Sequence, residues 1–217
     1  MQVNSKSSTS FGRKLYFFQK RIFDIIMSII GLVFLLPVFI IIIIAIKLDS
    51  KGPAIFVQER IGKNGKLFKF YKFRSMVENA DDVLFEMLKG SSKEAEEYRI
   101  NKKLENDPRI TKVGKIIRKC SLDELPQLLN ILKGDMSFIG NRPYLEREIP
   151  DMGDYYKDII KSKPGLTGLW QVNGRSNTTF ETRLKLEKKY SEEMCFLLDL
   201  KIFIKTFVVV LKTNGAS

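Results

Sequence analysis

The sequence predicts an α+β fold, mainly helical with a small β-hairpin, carrying a re-entrant N-terminal membrane helix and interfacial amphipathic helices. Three observations carry that expectation. Residues 25–46 hold no charge and are almost wholly apolar, with Lys and Arg on both flanks. Asn64-Gly65 stands between two arms rich in Ile, Phe, Val and Tyr, which is the signal of a tight hairpin. Leu125, Leu128, Leu129 and Leu132 repeat at helical spacing, and residues 196–213 form a second apolar stretch punctuated by Lys.

Composition narrows the chemistry before any motif does. Of 217 residues, 37 are Lys or Arg and 25 are Asp or Glu, for a net charge of +12. A balance this basic suits nucleic acid, anionic lipid or a phosphorylated substrate. Here the bases flank an apolar run, which favours lipid and phosphate over nucleic acid. His is absent. That excludes a Ser-His-Asp or Cys-His unit and any His-ligated zinc or haem. Cys120 and Cys195 make no CxxC pair and read as two free thiols in a reducing compartment. Catalysis is left to carboxylates, Lys, Arg, hydroxyls or a metal held by oxygen.

The chain divides into a basic segment (1–24), an anchor (25–46), a catalytic domain at the cytoplasmic face (47–195) and a C-terminal interfacial helix with its tail (196–217). The first segment holds Lys6, Arg13, Lys14, Lys20 and Arg21 against Asp24. As a helix the anchor would run roughly 33 Å, close to the ~30 Å hydrocarbon thickness. A buried core helix would not be apolar on every face, and a signal peptide would have a shorter apolar stretch and a cleavage site. Pro37 lies deep in the run, where it removes a backbone hydrogen bond and bends the helix. Both flanks are basic, and the positive-inside tendency holds Lys and Arg on the cytoplasmic side. A hairpin bent at Pro37 satisfies both constraints; a straight span, in which Pro is tolerated, satisfies one.

Residues 54–74 read as a hairpin turning at Asn64-Gly65, with Arg60, Lys63, Lys66, Lys69, Lys72 and Arg74 on its arms. These bases form either a solvated face or a surface for phosphates, whether of lipid headgroups or of a nucleotide. Residues 77–105 read as polar helices broken at Gly90-Ser91-Ser92, a solvated insertion or a lid. In 118–134, Pro126 fits only the first turn of a helix, and Gly134 suits its C-terminal end. The helix then starts near Asp123, which puts Asp123 and Glu124 at its N-terminus. Ser121-x-x-Glu124 has capping-box spacing, and a cap alone would account for both acids. In the functional alternative, a carboxylate at a helix N-terminus stays ionised and able to attack, beside an end that binds phosphate, with Arg118 and Arg142 flanking a diphosphate. Residues 163–175 hold Gly165, Gly168 and Gly174, a loop able to close on a ligand, with Trp170 either stacking on it or packed on the core. In 196–213, Lys201, Lys205 and Lys212 fall on one narrow stripe at about 100° per residue, as in a helix lying in a membrane interface.

These blocks together resemble the bacterial sugar transferases, small monotopic polyprenyl-phosphate phosphoglycosyl transferases, over about residues 20–212. The matching residues are Lys20-Arg21 with Asp24, Gly52-Pro53 with Gln58, Lys72-Phe73-Arg74-Ser75-Met76, Asp107-Pro108-Arg109, Ser121-Leu122-Asp123-Glu124-Leu125-Pro126, Lys133-Gly134-Asp135, Arg142-Pro143 and Pro164-Gly165-Leu166-Thr167-Gly168. The resemblance implies transfer of a sugar-1-phosphate from a UDP-sugar to a polyprenyl (undecaprenyl) phosphate, with release of UMP, at the cytoplasmic face of the bacterial inner membrane. It implies that Asp123 is the nucleophile, with Glu124 its dyad partner, and that Arg118, Arg142, Arg74 and Lys72 contact phosphates. It also implies Mg²⁺ as cofactor with Asp123 as a ligand, membrane lipid as a partner and no nucleic acid. Asn141, Cys120 and Leu36 depart from the family's usual Pro, Thr and Ser. The alternative is a non-catalytic membrane-anchored adaptor, which has no use for a carboxylate pair flanked by arginines.

Overall fold

The structure, a computed structural model, describes residues 10–90, 92–101, 104, 107–174 and 178–212. Lys6, Arg175 and the tail beyond residue 212 lie outside them. The chain is mainly helical, as expected. Its helices are α1 (Ser10–Phe34), α2 (Leu36–Asp49), α3 (Ala80–Lys89), α4 (Lys93–Asn101), α5 (Lys112–Lys119), α6 (Gln127–Lys133), α7 (Ile149–Met152), α8 (Tyr156–Ile159), α9 (Phe180–Glu193) and α10 (Phe196–Lys212). The strands are β1 (Ile55–Ile61), β2 (Leu67–Phe73), β3 (Ser137–Ile139) and β4 (Gly165–Thr167). Strands β1 and β2 pair as the expected hairpin. At its turn Asn64 and Gly65 have φ of 58° and 80°, the two positive angles that a type I′ turn requires. The parallel pairing of β3 with β4, Ser137 opposite Gly165 and Ile139 opposite Thr167, was not legible in the sequence. Three-residue strands carry too little alternation to be read.

The basic segment and the first part of the anchor form one continuous helix, because nothing near Asp24 interrupts α1. The helix breaks at Leu35, two residues before Pro37, and not at the proline itself. The ring of Pro37 opposes the carbonyl one turn earlier, so the break falls upstream and Pro37 sits in the first turn of α2, where its missing N–H costs nothing. Among the described residues no single helix is long and apolar enough to cross a membrane. The α1–α2 pair passes that test together, bent by 61°.

The described residues form two compact units, one from 10–35, 57–71 and 127–212, the other from 36–56 and 72–126. In the first, the polar stripe of α1 faces the protein. Tyr16 and Lys20 bond the Asp199 carboxylate of α10, Arg21 donates to the carbonyls of Ile131 and Leu132 at the end of α6, and Asp24 accepts from Ser137 Oγ and Phe138 N of β3. The apolar residues of α1 point outward, with Phe11 76% and Val33 66% exposed. Gly31 lets Leu128 of α6 approach, and Phe68, Phe70, Ile131 and Met136 complete that core. The second unit is built on Ile42 and Ile46 of α2, Ala54, Phe73 of β2 and Ile117 of α5. The N-terminus of α5 is held by Thr111 Oγ1, which accepts from Gly114 N, and by Asp49 Oδ2, which accepts from Val113 N.

The glycines of the 163–175 loop have a structural reason. A Cβ on Gly165 would lie 2.1 Å from Gly140 N, and one on Gly168 would lie 2.0 Å from Gly140 O. The β3–β4 pairing therefore needs bare backbone. Gly165→Ala should cost about 3 kcal/mol, the upper end of overpacking. Thermal unfolding of the variant in detergent checks this; an unchanged unfolding temperature would mean that the backbones can part.

Candidate active site

The two carboxylates sit in a short 3₁₀ turn, Leu122–Glu124, that precedes α6. Leu122 and Leu125 pack into the α2–α5 core of the second unit, one on each side of the pair. The turn opens with Ser121 in the left-handed region, at φ 54°. That conformation corrects the capping-box reading: Ser121 makes no side-chain cap, and the Glu124 carboxylate turns to Lys72 instead. α6 begins at Gln127, later than expected, so Asp123 stands in the turn before the helix and not on its first residues.

Lys72 joins the pair from β2. Its Nζ lies 3.0 Å from Glu124 Oε1 and 3.5 Å from Asp123 Oδ2. Phe73, next along the strand, is 1% exposed in the core, and strand alternation turns Lys72 to the opposite side. Asp123 is 7% exposed, whereas the Glu124 side chain is 38% exposed. Burial raises the Asp123 carboxyl above its ordinary value, Lys72 opposes the shift, Glu124 adds to it and Arg118 opposes it. The sequence reading had an Asp kept ionised by a helix end; here the desolvation of the site dominates, and two cations hold it in check.

The other expected residues fall as follows. Arg118 ends α5, half-buried, close enough for its charge to act on both Asp123 and Asp107. Arg74 is buried; its Nη2 donates to Ser50 O and Oγ, while Nε and Nη1 have no hydrogen-bond partner among the described residues. Asp107 and Arg109, matched without a role, form a bidentate pair at 2.8 and 2.6 Å. Arg142 belongs to the first unit, exposed, with its backbone N donating to Glu187. The structure thus brings together Lys72, Arg118, Asp123 and Glu124. Trp170 packs on the protein, its Nε1 donating to Thr178 and its ring under the Arg183 guanidinium at 4.5 Å.

Among the described residues, no group of three His, Cys, Asp or Glu side chains could hold a metal by itself. Asp123 and Glu124 offer two carboxylates around one cation position, now faced by the Lys72 ammonium. That set suits Mg²⁺, which binds through one or two carboxylates and completes its shell with phosphates and water.

Comparison with known proteins decides the family. The bacterial sugar transferase model matches residues 15–213. The chain belongs to the bacterial sugar transferase family. The transferase is 42% identical over 197 residues to the exopolysaccharide production protein ExoY of Sinorhizobium fredii, covering 91% of this chain and 87% of that protein. It is 46% identical over 202 residues to the undecaprenyl-phosphate galactose phosphotransferase of Salmonella typhimurium, covering 92% of this chain and 42% of that one. It is 37% identical over 212 residues to the UDP-N-acetylgalactosamine-undecaprenyl-phosphate N-acetylgalactosaminephosphotransferase of Aeromonas hydrophila, covering 93% of this chain and 46% of that one. The chain thus spans most of the first relative and less than half of the other two.

Lys72 is the residue whose place the sequence left most open, since it was one base among several on the hairpin. Its contact with Glu124 joins positions 52 residues apart, and nothing local encodes it. Lys72→Met should raise the Asp123 midpoint further, because the largest opposing influence on its burial is removed. A carboxyl NMR titration of Asp-labelled protein reads the shift; an unmoved or lowered midpoint would show that Lys72 does not act on Asp123.

Proposed function

We propose that this transferase moves a sugar-1-phosphate from a UDP-sugar to a polyprenyl (undecaprenyl) phosphate, with release of UMP, at the cytoplasmic face of the bacterial inner membrane. The observation that carries this reading is the buried Asp123 carboxylate beside Lys72, Arg118 and Glu124, in a family whose named relatives include undecaprenyl-phosphate sugar phosphotransferases.

An Asp123 oxygen attacks the sugar-linked phosphorus of the UDP-sugar. The bond to the bridging oxygen breaks, UMP leaves with that electron pair, and a phosphosugar acyl phosphate remains on Asp123. An oxygen of the polyprenyl phosphate then attacks the same phosphorus, and the Asp123 carboxylate is released. Burial supports this role, since a desolvated carboxylate is a stronger nucleophile than a hydrated one, provided that it is ionised. Lys72 and Arg118 supply the charge that keeps it so and face the incoming phosphate. Arg74, with two donors unpartnered, is a third phosphate contact in this reading. Glu124 shares Lys72 with Asp123 and assists in proton or metal handling. Mg²⁺, held by Asp123 with Glu124, would neutralise the diphosphate when bound. The outward apolar face of α1 and the exposed Leu197, Leu200, Ile204, Phe207 and Val208 of α10 would lie in lipid, with Lys201 and Lys205 at the headgroups, and the bend after Phe34 would return the chain to the leaflet it entered.

The first half-reaction needs no lipid acceptor. Enzyme, Mg²⁺ and UDP-sugar should exchange labelled UMP into UDP-sugar, and Asp123→Asn should abolish the exchange. An active preparation that never exchanges would favour direct transfer, with Asp123 a ligand or cap. Chelation by EDTA should stop the exchange, and Mg²⁺ should restore it; full activity after chelation removes the metal.

The pH dependence follows from burial. The reactive form of Asp123 appears as pH rises through its raised midpoint, so the acid limb of UMP release should lie above the ordinary Asp value of about 3.9. A limb at or below that value would contradict a desolvated nucleophile.

A further inference from the structure

One border of α1 carries positive charge that the reaction above does not use. At about 100° per residue, Lys14, Phe17 and Arg21 fall in one row between the inward polar stripe and the outward apolar stripe. On the outward side of that row, Leu15, Phe18 and Ile22 are 45%, 64% and 42% exposed. Two cations from other elements of the first unit meet the row. Lys63, at the hairpin tip, places its Nζ 5.1 Å from the centre of the Phe17 ring. Lys163, just before β4, converges with Arg21 on Gly134. A Cβ there would lie 3.3 Å from Arg21 Nη2 and 3.5 Å from Lys163 Nζ. The hairpin tip and the Lys163 segment are tied together, since Asn64 N donates to Ile160 O at 2.7 Å.

These cations meet neutral groups. Arg21 donates to the carbonyls of Ile131 and Leu132, and Lys63 lies over a ring. Among the described residues no carboxylate stands within ion-pair distance of Lys14, Arg21, Lys63 or Lys163. Asp24 and Asp135 act on Lys163 from farther off, and Asp24 already accepts from Ser137 Oγ and Phe138 N. Burial, and then the Arg21 charge, pull the Lys163 ammonium below its ordinary range. Lys163 is half-buried, whereas Lys14 and Lys63 are exposed. A row of cations beside exposed apolar side chains has the layering of a bilayer surface, with acyl chains under the stripe and phosphates beside the cations. A soluble polyanion would meet the charge and leave the adjoining stripe uncovered.

We propose that Lys63 and Lys163, with Lys14 and Arg21 on the border of α1, form a docking edge for the headgroups of anionic phospholipid. The protein would gather such lipid along this side of α1. The edge rests on the lipid placement of α1 given above, and it holds whatever the chemistry at Asp123.

Spin-labelled phosphatidylglycerol and phosphatidylcholine are the probes, added to the full chain reconstituted in phosphatidylcholine vesicles and read by electron spin resonance. Both labels should show a motionally restricted component. Phosphatidylglycerol should associate at least about fivefold more strongly, the worth of one Lys at an anionic surface. In Lys63→Gln/Lys163→Gln that preference should fall towards unity while the phosphatidylcholine component stays. Should the double variant fail to reconstitute, Lys63→Gln alone, at the exposed hairpin tip, should show a smaller fall. Lys185→Gln/Lys189→Gln removes the same charge from exposed positions of α9 and should keep the preference. An equal loss there would reduce the effect to net charge and overturn the edge. So would equal restriction of the two labels by the unaltered chain, or a preference that the Lys63 and Lys163 variants leave unchanged; both leave α1 in lipid. No restricted component for either label would remove the lipid placement of α1, and the edge with it.

Discussion

The first unit depends on a helix packed with its polar side inward. Along α1, Tyr16, Lys20 and Asp24 recur at one-turn intervals, with Arg21 beside them: Tyr16 and Lys20 share Asp199 of α10, Lys20 also reaches Tyr190 of α9, Arg21 bonds the end of α6, and Asp24 bonds β3. A helix on a protein in water arranges the reverse, apolar stripe inward and charge outward. The inversion is coherent, because Tyr16, Lys20, Arg21 and Asp24 are bonded inward while Phe11, Ile22, Ile26, Ile30, Val33 and Phe34 face outward. Apolar area left in water forgoes roughly 25 cal/mol per Å². So large an outward stripe is stable only where lipid, or something equally apolar, covers it. The proposed interfacial placement thus rests on which side of the helix is polar, and only secondarily on how greasy the helix is.

The second unit solves a different problem, how to desolvate a carboxylate without neutralising it. Leu122 and Leu125 commit the ends of the turn to the core, and the left-handed Ser121 sets the chain's direction into it. Asp123, between them, has no choice but burial. Burial alone favours its protonated form. Lys72 arrives from a strand whose neighbouring Phe73 is locked in the same core, and Arg118 from the end of α5 next to the core residue Ile117, so both charges are carried on backbone that the core holds. The more exposed Glu124 shares the Lys72 ammonium with Asp123.

What was legible in the sequence was what is local. Asn64-Gly65 specifies its turn by backbone chemistry alone, Leu128, Leu129 and Leu132 their helix by period, and the break between Gly90 and Ser92 the boundary of two helices. Pro37 announced a bend, but the break moved upstream to Leu35, because a proline disturbs the turn before it. Asp123 and Glu124 stand out in the sequence as two acids in a row, but the environment around them does not. Whether Asp123 is capped or buried depends on Leu122 and Leu125 meeting residues far away in the chain. The same holds for β3 with β4 and for Lys72 with Glu124. Each is a long-range pairing, and the short motifs on either side carry no trace of their partner.

The disposition of positive charge is the thread that joins these features. A net charge of +12 is tolerable only if most cations are solvated or matched. Arg109 is matched by Asp107 in a bidentate pair, and Lys20 by Asp199. Arg21 is satisfied by helix-end carbonyls, where the dipole of α6 presents its negative end. Two places differ. At Lys72 one ammonium serves two carboxylates, and the Arg118 charge acts on Asp123 from the end of α5, so two cations face two acids. Around Arg60, the Nε of Arg60 and the Nη2 of Arg183 are buried without hydrogen-bond partners among the described residues. The proposed reaction needs cations where phosphate oxygens rest and a carboxylate where an attacking oxygen must stand, and the group of Lys72, Arg118, Asp123 and Glu124 holds both in one place.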